Sequence, residues 1–387
     1  MPAAASRLHV DIGRRRRDSS RRMRIAFYAP LKSPDHPVPS GDRQMARMLI
    51  EALRLSGHDV QIASTLRAFS REASDAAFLD LRKQADAEIV RLSRTWAKDG
   101  PPDAWFCYHP YYKAPDLLGP ALAAEFAIPY LTAESSYSSR RNEGAWKLAQ
   151  DAVADGVGRA AVNICFTERD RRGLEEAIPD GRYAMLAPFI DVGQFQGTPK
   201  AKSGDARLIA VAMMRPGDKM DSYRMLAAAL RLVVDIPWTL TIVGDGPSRA
   251  AVQETFARLP ARRLDWAGEN APETVADLLF GSDLYVWPGF GEAYGLSYLE
   301  AQAAGLPVVA QATAGVPEVV RNGETGLLTA AGDANAFAEA IRRLLGDAAL
   351  RAELGNRARR FVLEERSLMA ATRRLEAIFT AFARRSG

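Results

Sequence analysis

The sequence predicts an α/β protein made of two Rossmann-like parallel-sheet domains, and three observations carry that expectation. From Met23 onward, short apolar runs of strand length alternate with amphipathic segments of helix length. The alternation restarts at Leu208, after a stretch from Gly193 to Gly204 that is rich in Gly, Pro, Lys and Ser, the composition of an interdomain linker. The 387-residue length suggests two to three domains at ~150 residues each, and 48% apolar content is enough to fill their cores.

Taken in order, Arg24 to Ala29 reads as a strand. A Pro/Ser/Asp-rich loop to Gly41 follows, then a helix with Met45, Leu49, Ala52 and Leu53 on one face that ends at Gly57, and the strand Asp59 to Ala63. This is the opening of a Rossmann-like sheet, whose ligand sits beyond the carboxyl end of the first strand, at Ser40-Gly41-Asp42-Arg43. His58 reads as a capping or surface residue. Phe78 to Trp96 is an amphipathic helix whose other face mixes Arg82, Lys83, Arg91 and Arg94 with Asp80, Asp86 and Glu88, a solvated face that also leaves a peripheral membrane contact open. Ala104 to Tyr108 is a strand with His109 at its carboxyl end. Ile128 to Glu134, Ala161 to Phe166 and the stretch from Tyr183 to Asp191 are further strands, with helices over Lys147 to Arg159 and Arg171 to Ala177.

In the second half, Leu208 to Ala212 is a strand, and a loop carrying Arg215 and Lys219 leads to a helix from Ser222 to Val234. Trp238 to Val243 and Arg263 to Ala267 are strands, the second followed by Gly268-Glu269. Gly281 to Val320 is the centre of the reading: a buried strand from Leu284 to Trp287, a loop to Gly295, a helix from Leu296 to Ala304, and a second buried strand from Pro307 to Ala312. Ala293, Tyr294, Gly295 and Leu296 open that helix, where free amides and the positive dipole end favour a phosphate. Glu292 lies before this anion site and Glu300 after it. A ligand with hydroxylated rings on both sides of a diphosphate, a nucleotide sugar, suits two carboxylate acceptors so placed. A strand from Leu327 to Ala330 follows, with helices over Ala334 to Leu345, Leu350 to Leu363 and Leu368 to Arg384; the last carries an apolar stripe of Leu368, Ala371, Leu375, Ile378, Phe379 and Phe382.

Glu292-Ala-Tyr-Gly-Leu-Ser-Tyr-Leu-Glu300, followed by Ala-Gln-Ala-Ala-Gly-Leu-Pro-Val-Val-Ala and then Ala314-Gly315-Val316-Pro317-Glu318, resembles the E-x7-E segment of the retaining GT-B glycosyltransferases of family 4. The resemblance runs from Met23 to near the end. It implies two domains facing across a cleft, the acceptor held by the first and a nucleotide diphosphate sugar, UDP- or GDP-linked, by the second. It implies hexose transfer with retention at the anomeric carbon, to a glycan, lipid or small molecule. On the matching positions, Arg215 and Lys219 would clamp the diphosphate, Glu292 would hold the sugar and Glu300 the ribose, and His109 would lie near the reacting sugar. Gly41 would meet the donor phosphates, Gly268 and Glu269 the base, and Arg43 and Glu134 the acceptor. The terminal helix would cross back to the first domain. The divisions expected are a disordered basic tail over 1–22, the first domain over 23–195, the second over 196–366 and the terminal helix over 367–387. Other GT-B reactions, such as nucleotide-sugar epimerisation, and a catalytically silent sugar-nucleotide-binding subunit are the rival readings.

Composition narrows the field. Net charge is only +4, less than the arginines of Arg14 to Arg17, Arg21, Arg22 and Arg24 supply, so the body is near neutral. No aromatic residue interleaves with those arginines, so nucleic acid is not an expected partner. Met23 is itself a candidate start. No apolar run reaches the ~20 residues that cross a bilayer, and a cytoplasmic protein, on the inner face of the membrane if peripheral, is expected. Cys107 and Cys165 read as reduced core thiols. No His-Cys cluster has zinc spacing and no Asp-x-Asp occurs, so neither a metal nor a cofactor is expected, and cations must come from side chains and the helix end.

Overall fold

The computed structural model describes residues 22–38, 40–197 and 204–383. The Arg14 to Arg17 run, most of the tail, part of the linker and the end of the last predicted helix lie outside these.

The first sheet has six strands: β1 (Arg24–Tyr28), β2 (Asp59–Ile62), β3 (Ala104–Tyr108), β4 (Tyr130–Ala133), β5 (Val162–Cys165) and β6 (Tyr183–Met185), in the order β2-β1-β3-β4-β5-β6. The second has β7 (Ala206–Val211), β8 (Trp238–Val243), β9 (Leu264–Gly268), β10 (Leu284–Val286), β11 (Val308–Gln311) and β12 (Gly326–Thr329), in the order β12-β11-β10-β7-β8-β9. Every pairing is parallel. Parallel strands covered on both faces are buried throughout, as β3, β4, β5, β10 and β11 are, and this is why they read as unbroken apolar runs.

The helices are α1 (Gly41–Leu55), α2 (Asp75–Asp99), α3 (Gly119–Glu125), α4 (Lys147–Arg159), α5 (Glu168–Ala177), α6 (Asp218–Arg231), α7 (Arg249–Phe256), α8 (Pro272–Gly281), α9 (Leu296–Ala303), α10 (Ala334–Gly346), α11 (Ala348–Glu365) and α12 (Leu368–Phe382). Many start where a side chain accepts from a free first-turn amide: Ser40, Ser74, Thr167, Asp333, Asp347 and Ser367 all cap this way.

Each sheet has one point where the strand order reverses. In the first the chain goes from β1 out to β2 and returns past β1 to β3; in the second it goes from β7 to β8 and β9, then back past β7 to β10. Loops diverge at such points and leave a crevice at the carboxyl ends of the strands. The β1 and β3 loops form one crevice and the β7 and β10 loops the other.

After α11 the chain crosses to the first sheet. Ser367 pairs with Ile190 in a parallel bridge, and α12 lies on α1, with the Phe379 ring 6.0 Å from Phe106 and 5.5 Å from His58. Arg374 donates to the Met185 carbonyl at 2.8 Å.

Several sequence expectations need correction. His58 is buried, not a surface residue: its Nδ1 accepts from the Met23 amide at 3.4 Å, and its Nε2 lies 3.2 Å from Glu376 of α12. Lys219 is not in a loop but in the first turn of α6, which starts four residues earlier than expected. The helix expected over Phe78 to Trp96 extends to Asp75–Asp99, and only Ala85, Leu92 and Trp96 of its stripe are fully buried. Helices α3, α7 and α8 were not expected at all.

Candidate active site

The β10–α9 loop is folded around Tyr298. Its hydroxyl donates to the Trp287 carbonyl at 3.1 Å, and a Cβ placed on Gly295, which has φ 77°, would sit 2.7 Å from the Tyr298 ring. Only glycine fits that left-handed, crowded position. Gly295 caps α9, so the first α9 amides have no partner within the helix and, with its dipole, face the crevice. Gly315 presses equally close from the β11 side: a Cβ there would overlap the Ala293 carbonyl oxygen. Tyr294 is buried, Gly295 and Leu296 are half-buried, and Ala293 is exposed.

Glu292 accepts from two donors. Lys219 Nζ forms an ion pair with its Oε1, and Trp287 Nε1 donates to the same oxygen at 3.1 Å. The ammonium also lies 5.6 Å from the centre of the Trp287 ring. A cation in the first turn of a helix opposes the dipole, and Asp218 and Asp221 in the same turn offset it. The topology thus brings the carboxylate of the β10–α9 loop and the cation of the first turn of α6 to the same crevice. Arg215 is exposed on the β7–α6 loop.

Glu300, one turn into α9, is partly buried. Burial raises its carboxyl above the ordinary range, and the hydrogen bond from the Gln44 side chain of α1 pulls it back down. This joins the two domains, as do two contacts of Tyr294: its hydroxyl donates to Glu134 Oε2 at 3.4 Å, and its ring lies 6.2 Å from Phe166. The two crevices therefore face each other.

On the first domain, His109 and Glu134 end β3 and β4 and both adopt left-handed backbone, φ 60° and 56°. Non-glycine residues in that region cost about 1–3 kcal/mol each and persist where surroundings hold them. Here they turn both side chains inward. His109 Nδ1 stands 3.7 Å from Glu134 Oε2 and 3.7 Å from Asp42 Oδ1. Burial pushes the Glu134 carboxyl up, against the pull of the His109 charge. Asp42 was not expected as a site residue, nor was Gln44; both were hidden in the polar face of α1.

Other expected residues lie elsewhere. Gly41 opens α1 with open space around it, so no tight glycine turn is formed there. The Arg43 guanidinium donates to the Pro34 carbonyl at 3.3 Å, which ties it to its own loop. Gly268, φ 73°, ends β9 with its carbonyl accepting from Gly244 at 2.7 Å, and Glu269 is exposed beside it, along the same crevice edge as the β8 loop.

Residues 205–347 match the family model described as glycosyl transferases group 1. That stretch, a little over a third of the chain, is similar to the group 1 glycosyl transferases. The matched stretch holds Lys219, Glu292 and Glu300. The chain is 34% identical over 142 residues to N-acetyl-alpha-D-glucosaminyl L-malate synthase of Bacillus anthracis, covering 36% of this chain and 37% of that protein. It is 29% identical over 213 residues to D-inositol 3-phosphate glycosyltransferase of Mycolicibacterium paratuberculosis, covering 51% and 47%. The alignments thus span between a third and a half of these relatives' lengths. Among solved structures, sucrose-phosphate synthase from Thermosynechococcus elongatus superposes with a TM-score of 0.71 at 19% identity, covering 93% of this chain and 99% of that one. HepE of Anabaena, in complex with UDP, does so with a TM-score of 0.69 at 16% identity, covering 93% and 100%. The fold is GT-B, two facing Rossmann-like domains. Among the described residues, no helix is long and apolar enough to cross a membrane.

Proposed function

We propose that the protein transfers a hexose from a UDP- or GDP-sugar to a hydroxyl of a glycan, lipid or small molecule, with retention and without a metal ion. The observation that carries this reading is the second crevice, where Lys219, Glu292 and Glu300 surround the open N-terminus of α9. An anion at that helix end suits the diphosphate, Glu300 is placed to accept from ribose hydroxyls and Glu292 from sugar hydroxyls. UDP and UDP-glucose in the HepE complexes support a nucleotide-sugar donor, and the names of the curated relatives support sugar transfer.

In the transfer, the acceptor oxygen bonds to the anomeric carbon as the bond from that carbon to the diphosphate oxygen breaks. The leaving oxygen keeps the electron pair and takes the acceptor's proton, directly on the face it has left. Charge on that oxygen grows along the way, and Lys219, Arg215 and the α9 amides stabilise it more in the transition state than in the ground state. His109, between two carboxylates on the facing domain, orients the transferred sugar. We place the reaction in the cytoplasm, with the acceptor on the first domain.

Thermal melting against UDP, GDP, ADP and their glucose conjugates tests donor binding, since a ligand bound only by the folded state raises the melting temperature with concentration. UDP or GDP is expected to do so, and the product's anomeric proton should show retention by NMR. No shift with any nucleotide, or an inverted product, overturns the reading.

A further inference from the structure

A row of aromatic side chains leaves the site along the first domain. The His109 ring meets Tyr111 edge-on with centres 5.1 Å apart, Tyr111 meets Tyr112 at 5.5 Å, and Tyr112 meets Trp146 at 5.1 Å. All four are half-buried, on segments that follow β3 and β4 at their carboxyl ends. The rings are fixed from behind, because Tyr112 and Trp146 close a crevice against Phe78 and Leu81 of α2.

Two cations lie over the middle of this row: Arg141 is 5.2 Å and Lys113 5.9 Å from the centre of the Tyr112 ring. Neither makes an ion pair among the described residues, whereas nearby Lys147 is engaged with Asp151 at 2.7 Å. The Tyr112 ring attracts both charges through its negative face, and an anion near it would meet cations that no carboxylate of the described residues neutralises. Two ring-to-ring steps separate this spot from His109, so an anion there belongs to the sugar unit bearing the accepting hydroxyl or to its neighbour.

We infer that the acceptor is an anionic saccharide, whose ring packs on Tyr111 and Trp146 and whose carboxylate or phosphate binds Arg141 and Lys113. This rests on the acceptor lying on the first domain of a glycosyltransferase, as proposed above.

The test uses two disaccharides that differ in one carboxylate, cellobiouronic acid and cellobiose, with UDP present and saturation-transfer NMR and tryptophan fluorescence as readouts. The acid should bind about tenfold tighter or better, the scale of one charge-assisted pair. That advantage should shrink between about 50 and 500 mM salt. In the double variant Arg141→Ala/Lys113→Ala it should vanish, Trp146→Ala should weaken both sugars, and neither variant should change the melting shift with UDP. Equal binding of the two sugars, or an advantage that survives in the double variant, overturns the inference. So does binding of sugar-free phosphatidylglycerol vesicles that depends on Arg141 and Lys113, which would assign the cations to a membrane surface. A wild-type protein that fails to respond to any nucleotide refutes the donor reading instead, so the two failures are distinguishable.

Discussion

Lys219→Ala tests the proposed chemistry most directly, because the structure gives the ammonium two roles that predict different outcomes. It forms an ion pair with Glu292, and it stands at the end of the β7 crevice where a leaving diphosphate would sit. If the second role dominates, losing one fixed cation should slow turnover roughly ten- to a thousandfold, ~1.4 to 4 kcal/mol, with much less effect on nucleotide affinity. The first role bears on stability. The two side chains are 30% and 15% exposed, so water screens the pair, and the loss should be about 1 kcal/mol or less. Single-turnover rates and UDP calorimetry separate the two. A double-mutant cycle with Glu292→Gln sharpens the result. Were Lys219 there only to neutralise Glu292, the double variant would transfer no worse than Glu292→Gln alone. That outcome, or equal losses in nucleotide affinity and rate constant, refutes the leaving-group role.

Three further outcomes follow from the same geometry. Glu300→Ala should weaken free UDP in calorimetry, and unchanged affinity would remove Glu300 from the ribose site. Burial raises the Glu134 carboxyl from 4.5, so its contribution to stability is present below that value and lost as pH rises through the higher folded value. Glu134→Gln should therefore raise the melting temperature at pH 8 and leave it nearly unchanged at pH 4; a lower melting temperature at pH 8 would mean that His109 holds the carboxylate more strongly than burial opposes it. Phe379→Ala, which empties a fully buried ring site against Phe106 and His58, should cost roughly 3–5 kcal/mol in denaturant unfolding, and a negligible change would take α12 out of the first domain's core.

The sheets were legible because parallel strands buried on both faces leave unbroken apolar runs, and β3 and β10 stand where those runs predict. Helix α7 was not, because its eight residues bury only Val252 and Phe256 and so carry little period. The start of α6 was masked by Pro216-Gly217-Asp218, which reads as a turn; the turn exists, but the helix begins directly after Gly217. His58 looked exposed because what buries it, α12, is more than 300 residues away in the chain. In the second domain, local spacing from Glu292 to Glu300 carries the candidate site within one βαβ unit. Around the first domain's crevice the contacts join distant segments: Asp42 with His109, Gln44 with Glu300, Tyr294 with Glu134, Arg141 with Tyr112. No local pattern can show such pairs.

Those long-range contacts also explain how donor occupancy can be felt across the cleft. The chain crosses between domains near Ile190 and again at Arg366 to Leu368. The two crossings are hydrogen-bonded side by side, the Ile190 amide to the Arg366 carbonyl at 2.9 Å and the Leu368 amide to the Ile190 carbonyl at 2.8 Å. Paired crossings of this kind define a hinge, since a few residues there absorb the rotation while both sheets stay rigid. Across the cleft, the Tyr294 hydroxyl reaches Glu134, the Tyr294 ring packs near Phe166, the Gln44 side chain lies against Glu300, and the Glu168 amide donates to Glu318 at 2.8 Å. On the function proposed above, a donor held by Glu300 and the α9 amides on one domain and near His109 on the other would add contacts across the cleft and so favour the closed arrangement. Tyr294 ties the two sides together, because the residue next to the N-terminus of α9 is the same one that reaches Glu134 beside His109.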